Sequence, residues 1–255
     1  MNPEKIKEEF IRIRNLGFIL NTRSDTNDGS AGNVFEDHLG VNENNLREPD
    51  FDGFEVKTKK YLESDSYISL FTQRPSHPNN GDSYMRDNWG IPDDTVPSVK
   101  CFRTSLHGHR WSLVYGTHQM KVEVDREQQR VYIHRSDLNY QTVDRNVYWN
   151  FSDIKRGSKK LNNLFLVGVE VKNINGRDHF KYIDSIVYMD YLGDTNLIDL
   201  IEDGTVRYDN RLGIYGQEVS DVSKRGKPHN HGGGFRVSRQ NLDKLYGTKL
   251  VIPRE

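Results

Sequence analysis

The chain has 255 residues, of which 34% are hydrophobic, 11% aromatic and 29% charged. That length fits one large α/β domain or two small ones, and the aromatic content argues against a disordered chain. Lys and Arg number 36 against 37 Asp and Glu, a net charge of −1, so no global field marks a polyanion ligand, although a local groove field can still do so.

Cys101 is the single cysteine. It excludes an internal disulfide and a Cys-rich zinc site, and it indicates a reducing compartment. No run of 18 apolar residues exists to span a membrane. Residues 1–10 are charged, so no secretory signal is expected there.

The first element is an amphipathic helix over 3–16, with Ile6, Phe10 and Ile13 on one stripe and Gly17 to close it. A polar loop over 22–32 precedes a short helix over 33–39, with Val34, Phe35 and Leu39 inward. Strands are predicted over 54–61 and 67–73, separated by 62–66. Residues 74–97, full of Pro, Asn, Asp and Gly, are predicted to be a surface excursion. A hairpin follows over 118–124 and 130–135. The apolar run 164–171 is a central strand, and 180–189 is its partner across the turn 173–176. A short helix over 195–202 and a strand over 206–215 come next. Residues 217–234 form a Gly-rich basic loop, 235–238 a strand, 239–245 a helix and 250–252 a last extended piece. No repeat or linker interrupts this series, so a single mixed α/β domain over 1–255 is expected, with two lobes around a cleft as one possible arrangement.

The segment Pro49-Asp50-Phe51-Asp52-Gly53-Phe54-Glu55-Val56-Lys57 carries the most chemistry. Residues two apart share a face of a strand, so Glu55 and Lys57 point one way and Phe54 and Val56 the other. A turn at Asp52-Gly53 folds Asp50 back toward Glu55. Two carboxylates with water and phosphate oxygens suit Mg²⁺, which lowers the pKa of a bound water and offsets charge on phosphorus. Lys57 adds a mobile point charge for the phosphate or the attacking water. Upstream, Glu36 on its helix can face the same site as a third carboxylate. The pattern Asp, spacer, Glu-x-Lys is weak by itself: an exposed strand with alternating charge looks the same.

A wider arrangement is more specific. Gly32-x-x-Phe35-Glu36-x-x-Leu39-Gly40 is followed by Asn45-Leu46-x-x-Pro49-Asp50-Phe51-x-Gly53-x-Glu55-x-Lys57-Thr58, then by Ser69-Leu70-Phe71-Thr72. Together with residues 146–151, 211–215 and 224–236 it resembles the MvaI/BcnI restriction endonucleases, relatives in fold of the mismatch-repair nickase MutH. The resemblance implies a PD-(D/E)XK fold with a mixed central sheet flanked by helices and a DNA-binding cleft. It implies Mg²⁺ dependence, with Mn²⁺ as a substitute and Ca²⁺ supporting binding without cleavage. It implies cutting of double-stranded DNA at short G·C-rich sites of the CC-x-GG type. The catalytic roles then fall to Glu36, Asp50, Glu55 and Lys57, with Asp50, Glu55 and Glu36 holding the metal.

From Lys224 to Arg254 there are eight Lys and Arg against one acid, Asp243. Arg pairs bidentately with guanine, and His or Asn reads a base edge. By resemblance, Arg211, His229, Asn230, His231 and Arg236 read bases. Lys224, Arg225 and Lys227 suit phosphates, which fix position rather than sequence. His77 and Arg86, in the excursion after the second strand, are a second set of DNA contacts. His229 and His231 do not make a zinc site without further ligands. One catalytic set with two unlike reading loops points to a monomer that cuts the strands in turn. The expected setting is a prokaryotic cytoplasm, with a cognate DNA methyltransferase as functional partner. The competing readings are a MutH-like nicking enzyme and a DNA-binding module without catalysis.

Overall fold

The computed structural model describes residues 2–23, 29–41, 49–60, 62 and 67–254. Part of the polar loop read over 22–32, Asn45-Leu46 of the motif and most of the 62–66 separator lie outside the described residues. In chain order the elements are α1 (Pro3–Arg14), β1 (Ile19–Leu20), α2 (Ser30–His38), β2 (Glu55–Lys60), β3 (Tyr67–Phe71), α3 (Gly81–Trp89), β4 (Ile91–Pro92), β5 (Lys100–Leu106), β6 (Ser112–Val114), β7 (His118–Asp125), β8 (Arg130–Ser136), β9 (Thr142–Asp144), β10 (Tyr148–Asn150), α4 (Phe151–Ser158), β11 (Leu164–Ile174), β12 (Arg177–Tyr191), α5 (Gly193–Glu202), β13 (Val206–Ile214), β14 (Pro228–Asn230), β15 (Gly234–Ser238) and β16 (Tyr246–Ile252). They fall into two compact units. The first holds Met1–Ile68, Ser158–Gly193 and Ser238–Glu255; the second holds Ser69–Gly157 and Asp194–Val237.

The first unit is built on a sheet of order β1-β12-β11-β2, with β16 also paired to β12. β2 runs parallel to β11, while β11, β12 and β16 are antiparallel. α1 starts where the Asn2 side chain caps Glu4 N–H at 3.1 Å and Pro3 opens the first turn. It ends at Arg14 because Gly17, at φ +71°, closes the chain back on the Arg14 carbonyl. Its apolar stripe of Ile6, Phe10 and Ile13 packs with Phe35 of α2, Phe54, Phe165 and Tyr182. Phe10 meets Phe165 edge-on at 5.9 Å. Burying each such ring stabilises the unit by about 1.5–3 kcal/mol.

The second unit carries one sheet of order β3-β15-β13-β5-β4, with β14 on β13, and another of order β10-β8-β7-β6, with β9 on β8. Trp149 is fully buried and packs on Tyr208 and Phe235 at 4.6 and 5.4 Å.

The surface excursion expected over 74–97 needs correction. It contains α3, whose Met85 and Trp89 are buried one turn apart. Trp89 packs edge-on to Phe102 at 5.8 Å, and its indole N–H donates to Asp144 at 3.0 Å. A helix buried through so few apolar side chains is masked by the polar residues around it. The expected basic loop over 217–234 likewise contains β14, and the final extended piece is a seven-residue strand, β16. No described helix is long and apolar enough to cross a membrane.

Candidate active site

β2 alternates as its sequence requires. Phe54 and Val56 are buried in the core cluster, and Glu55 and Lys57 take the other face. Asp52 and Gly53 sit at φ +44° and +85°. Around them Phe51 and Phe54 exchange backbone hydrogen bonds of 3.0 and 2.7 Å, a tight reversal that returns Asp50 to β2. The Asp50 Oδ2 atom accepts the Val56 N–H at 2.8 Å. Asn163 secures the strand entry, accepting Glu55 N–H at 2.9 Å and donating its side-chain amide to Gly53 O at 3.2 Å.

Glu55 is only 1% exposed. Its Oε1 atom is ion-paired with Lys57 and, at 2.5 Å, with Lys160. Its Oε2 atom is buried with no hydrogen-bond partner among the described residues. Burial holds the Asp50 carboxyl above the usual carboxylate range, and the nearby negative charge of Glu55 adds to the effect; Lys57 and Lys160 act in the opposite sense. A buried carboxylate oxygen without a donor and a second, part-buried carboxylate close to it are a donor set that fits a hard divalent cation.

Glu36 stands on α2. That helix approaches β2 at Gly32, where an added Cβ would lie 3.3 Å from Thr58 Oγ1 and 3.9 Å from Glu36 Oε1. Thr58 alternates with Lys57 and shares the Val56 face. The structure therefore brings Asp50, Glu55 and Lys57 together, with Glu36 on the helix-facing side of the strand. Among the described residues no group of three or more His, Cys, Asp and Glu side chains is gathered as a metal site.

In the second unit, β13 presents Arg207, Asp209 and Arg211 at alternate positions. Asp209 is buried and gathers cations: Arg207 at 2.8 Å, Arg236 at 3.4 Å and Arg211 at 3.9 Å, with the Ser105 hydroxyl donating at 2.7 Å. A cavity of about 530 Å³ opens here, lined by Arg103, Ser105, Arg207, Asp209, Arg211 and His231 among others. Arg211 is exposed; Arg236 is buried, and its guanidinium also donates to Gly232 O at 3.1 Å. His231 Nε2 sits 2.9 Å from Ile214 O, so that nitrogen carries the hydrogen. His229 stacks on Tyr215 at 3.9 Å, and burial lowers its pKa, with His231 and Lys224 adding to the shift.

Asn230 donates to Asp82 at 3.0 Å and accepts Gly233 N–H at 2.8 Å, which spends much of its amide on holding the loop. Lys224, Arg225 and Lys227 are exposed; Lys224 pairs with Asp221 at 3.5 Å, and Arg225 donates to Val219 O at 3.0 Å. His77 is exposed and stacks on Tyr148 at 5.2 Å, whereas Arg86 lies on α3 against Asp87 at 2.8 Å.

A family model described as the MvaI/BcnI restriction endonuclease family matches residues 7–246. The chain belongs to the MvaI/BcnI restriction endonuclease family. It is similar to the solved structure of restriction endonuclease MvaI in complex with its cognate DNA substrate, with 28% identity and a TM-score of 0.84 over 98% of this chain and 99% of that one. It is also similar to MvaI solved in the absence of DNA, with 26% identity and a TM-score of 0.59 over 99% and 98% of the two chains. No curated protein matches it. This MvaI/BcnI family member is a type II restriction endonuclease, a site-specific deoxyribonuclease with the mixed α/β fold of MvaI.

Lys160, Arg103, Arg207 and Asp209 were not among the residues singled out from the sequence. For β13 a signal existed: Arg207, Asp209 and Arg211 at alternate positions put three charges on one strand face. Lys160 carried none, because its contact with Glu55 joins segments far apart in the chain.

Proposed function

We propose that this MvaI/BcnI family member hydrolyses double-stranded DNA with Mg²⁺ at a short G·C-rich pseudopalindromic site of the CC-x-GG type. It acts as a monomer that cuts the strands in turn, in a prokaryotic cytoplasm, alongside a methyltransferase that protects the host sites. The observation that carries the reading is the donorless, buried Glu55 Oε2 beside Asp50, with two lysines on the other oxygen.

Asp50 and Glu55 would hold the metal; Glu36, on the Val56 and Thr58 side of β2, would add a third carboxylate only by reaching around the edge strand. When bound there, the metal would supply an activated water and offset charge on the phosphate. Lys57 and Lys160 set two ammonium groups where charge grows as a water oxygen bonds to phosphorus and one P–O ester bond breaks, the proton passing to the leaving oxygen. Arg211, Arg236, His229, Asn230 and His231 read base edges. Lys224, Arg225 and Lys227 hold phosphates, with His77 and Arg86 as the second contact set. The MvaI complex with cognate DNA supports double-stranded DNA as the ligand.

The test is incubation of the pure protein with plasmid and Mg²⁺, followed by mapping of the ends. Discrete fragments preceded by nicked circles are expected. Concerted double-strand cutting by an obligate dimer would remove the sequential reading, and nicks that need a second protein would favour a repair nickase.

The loop residues give a separate expectation. Arg236→Ala should cost about 1–3 kcal/mol on the cognate site and less on mismatched ones. Lys227→Ala should weaken all duplexes alike and lower the salt slope by about one. Affinities for cognate and single-mismatch duplexes in Ca²⁺ at several salt concentrations decide it. Uniform loss in both variants would make the loop an electrostatic clamp only.

A further inference from the structure

Four arginines gather at the β13 cavity, and they stand at two depths. The side chains of Arg207 and Arg236 are 19% and 10% exposed and close on Asp209 at 2.8 and 3.4 Å. Those of Arg103 and Arg211 are 59% and 46% exposed. The inner two have their counter-charge. Of the outer two, Arg211 is 3.9 Å from the same Asp209, and Arg103 is 4.0 Å from Asp93. Exposed ion pairs at that distance contribute little.

Strand register brings the outer two together. Arg103 on β5 lies directly opposite Arg211 on β13. The Arg103 N–H is turned away from β13 and donates to the Tyr115 hydroxyl at 2.9 Å. The Arg211 carbonyl is turned away from β5 and accepts the His231 N–H at 3.0 Å. The pair is therefore the narrow antiparallel kind without mutual hydrogen bonds, with Cα atoms about 4.5 Å apart and side chains at their closest. Like charges so placed destabilise a sheet. Two residues after Arg211, Gly213 leaves its place on this face bare. A Cβ there would lie 2.7 Å from Arg103 Nη2 and 3.3 Å from His231 Cδ2. The Arg103 guanidinium thus lies across β13 over plain backbone, beside Arg211 and His231.

We propose that Arg103 is a specificity-determining residue, whose guanidinium reads the O6 and N7 edge of a guanine next to the base that Arg211 reads. This rests on the base-reading role given to Arg211 above. Successive bases of a strand are spaced about 3.4 Å apart, so two side chains from one narrow pair reach neighbouring bases. The acceptors of two base edges also relieve the repulsion that the free protein carries. Guanine offers a guanidinium fork two acceptors on one edge. A phosphate accepts the same fork, and the variants below separate the two.

Wild type, Arg103→Ala, Arg103→Lys, Gly213→Ala and Arg211→Ala would each be bound in Ca²⁺ to a library of randomised duplexes, and the bound pools sequenced. Dissociation constants at several salt concentrations and thermal midpoints without DNA would be measured alongside. Guanine preference at one position of the wild-type site should fall about 5- to 150-fold in Arg103→Ala, while the other positions keep theirs. Arg103→Lys keeps the charge without the fork and should lose the same position. Gly213→Ala keeps the arginine but displaces its guanidinium, and should lose that position in part. The midpoint of Arg103→Ala should not fall below wild type, because one of two opposed charges is gone.

An affinity loss in Arg103→Ala that is equal on all sequences, with a salt slope lower by about one, would make Arg103 a phosphate contact and overturn the proposal. Preference unchanged in Arg103→Ala would overturn it as well, and a lower midpoint would then mark a structural role. If Arg211→Ala kept every wild-type preference, the base-reading role of β13 would itself be lost. A wild-type pool without CC-x-GG would remove that site and leave the test of Arg103 standing.

Discussion

Glu55→Ala is expected to lower the cleavage rate at least ~100-fold while leaving DNA binding in Ca²⁺ measurable, because it removes the proposed metal ligand and the anchor of two lysines together. Lys57→Ala and Asp50→Ala should each fall by a similar factor, about 100-fold or more, for loss of the proposed charge stabiliser and of the proposed second ligand. A wild-type rate in Glu55→Ala would show that the chemistry sits elsewhere.

Asp50 adds a test with two readouts of opposite sign. Its folded pKa is raised, so ionising it costs the metal-free fold stability. That cost is absent below the ordinary carboxylate range and present once the pH exceeds the raised value. Asp50→Asn should therefore be at least as stable as wild type in EDTA near neutral pH. The difference should close as the pH falls through that window. On the proposed role of Asp50 as a metal ligand, cleavage in Mg²⁺ should be lost in the variant. A variant less stable than wild type at neutral pH would mean that the charged hydrogen bond to Val56 outweighs the cost of burying the carboxylate and its repulsion from Glu55.

The second large effect is expected at Asp209. Its buried carboxylate neutralises Arg236, which is itself 8% exposed, and it also holds Arg207 and Arg211. Asp209→Ala leaves a buried guanidinium without its counter-charge, a loss of about 3–5 kcal/mol in comparable cases. Chemical denaturation followed by Trp fluorescence would report it, since Trp149 packs on Tyr208, the residue next to Asp209. The three arginines would also lose their shared anchor, so preference for the cognate site should narrow. Asp209→Asn keeps an acceptor for Ser105 and should recover part of the stability but little of the preference. Stability unchanged within experimental error in Asp209→Ala would show that the arginines hold one another apart without it.

The legible part of this chain was the part set by short-range rules. The alternation of β2, the reversal at Asp52-Gly53 and the stripe of Ile6, Phe10 and Ile13 each depend on neighbours a few residues away, and each was readable from the sequence. α3 was not, because Met85 and Trp89 are its main apolar anchors and its other faces are polar. Lys160 was not, because no local pattern reports that a lysine before β11 will meet a glutamate on β2. Arg236 was expected among the base contacts, yet its burial against Asp209 could not be inferred from the glycines and basic residues around it.

The order of strands in the first unit also bears on how the protein is made. Its sheet needs β16 against β12, and β16 follows both segments of the second unit in the chain. Chains emerge from the ribosome N-terminus first, and units fold as their residues become available. The segments carrying Arg211 and His231 are therefore synthesised before the strand that completes the sheet behind Glu55. A chain interrupted before Tyr246 therefore lacks the strand that completes this sheet, whichever of the earlier segments it already carries.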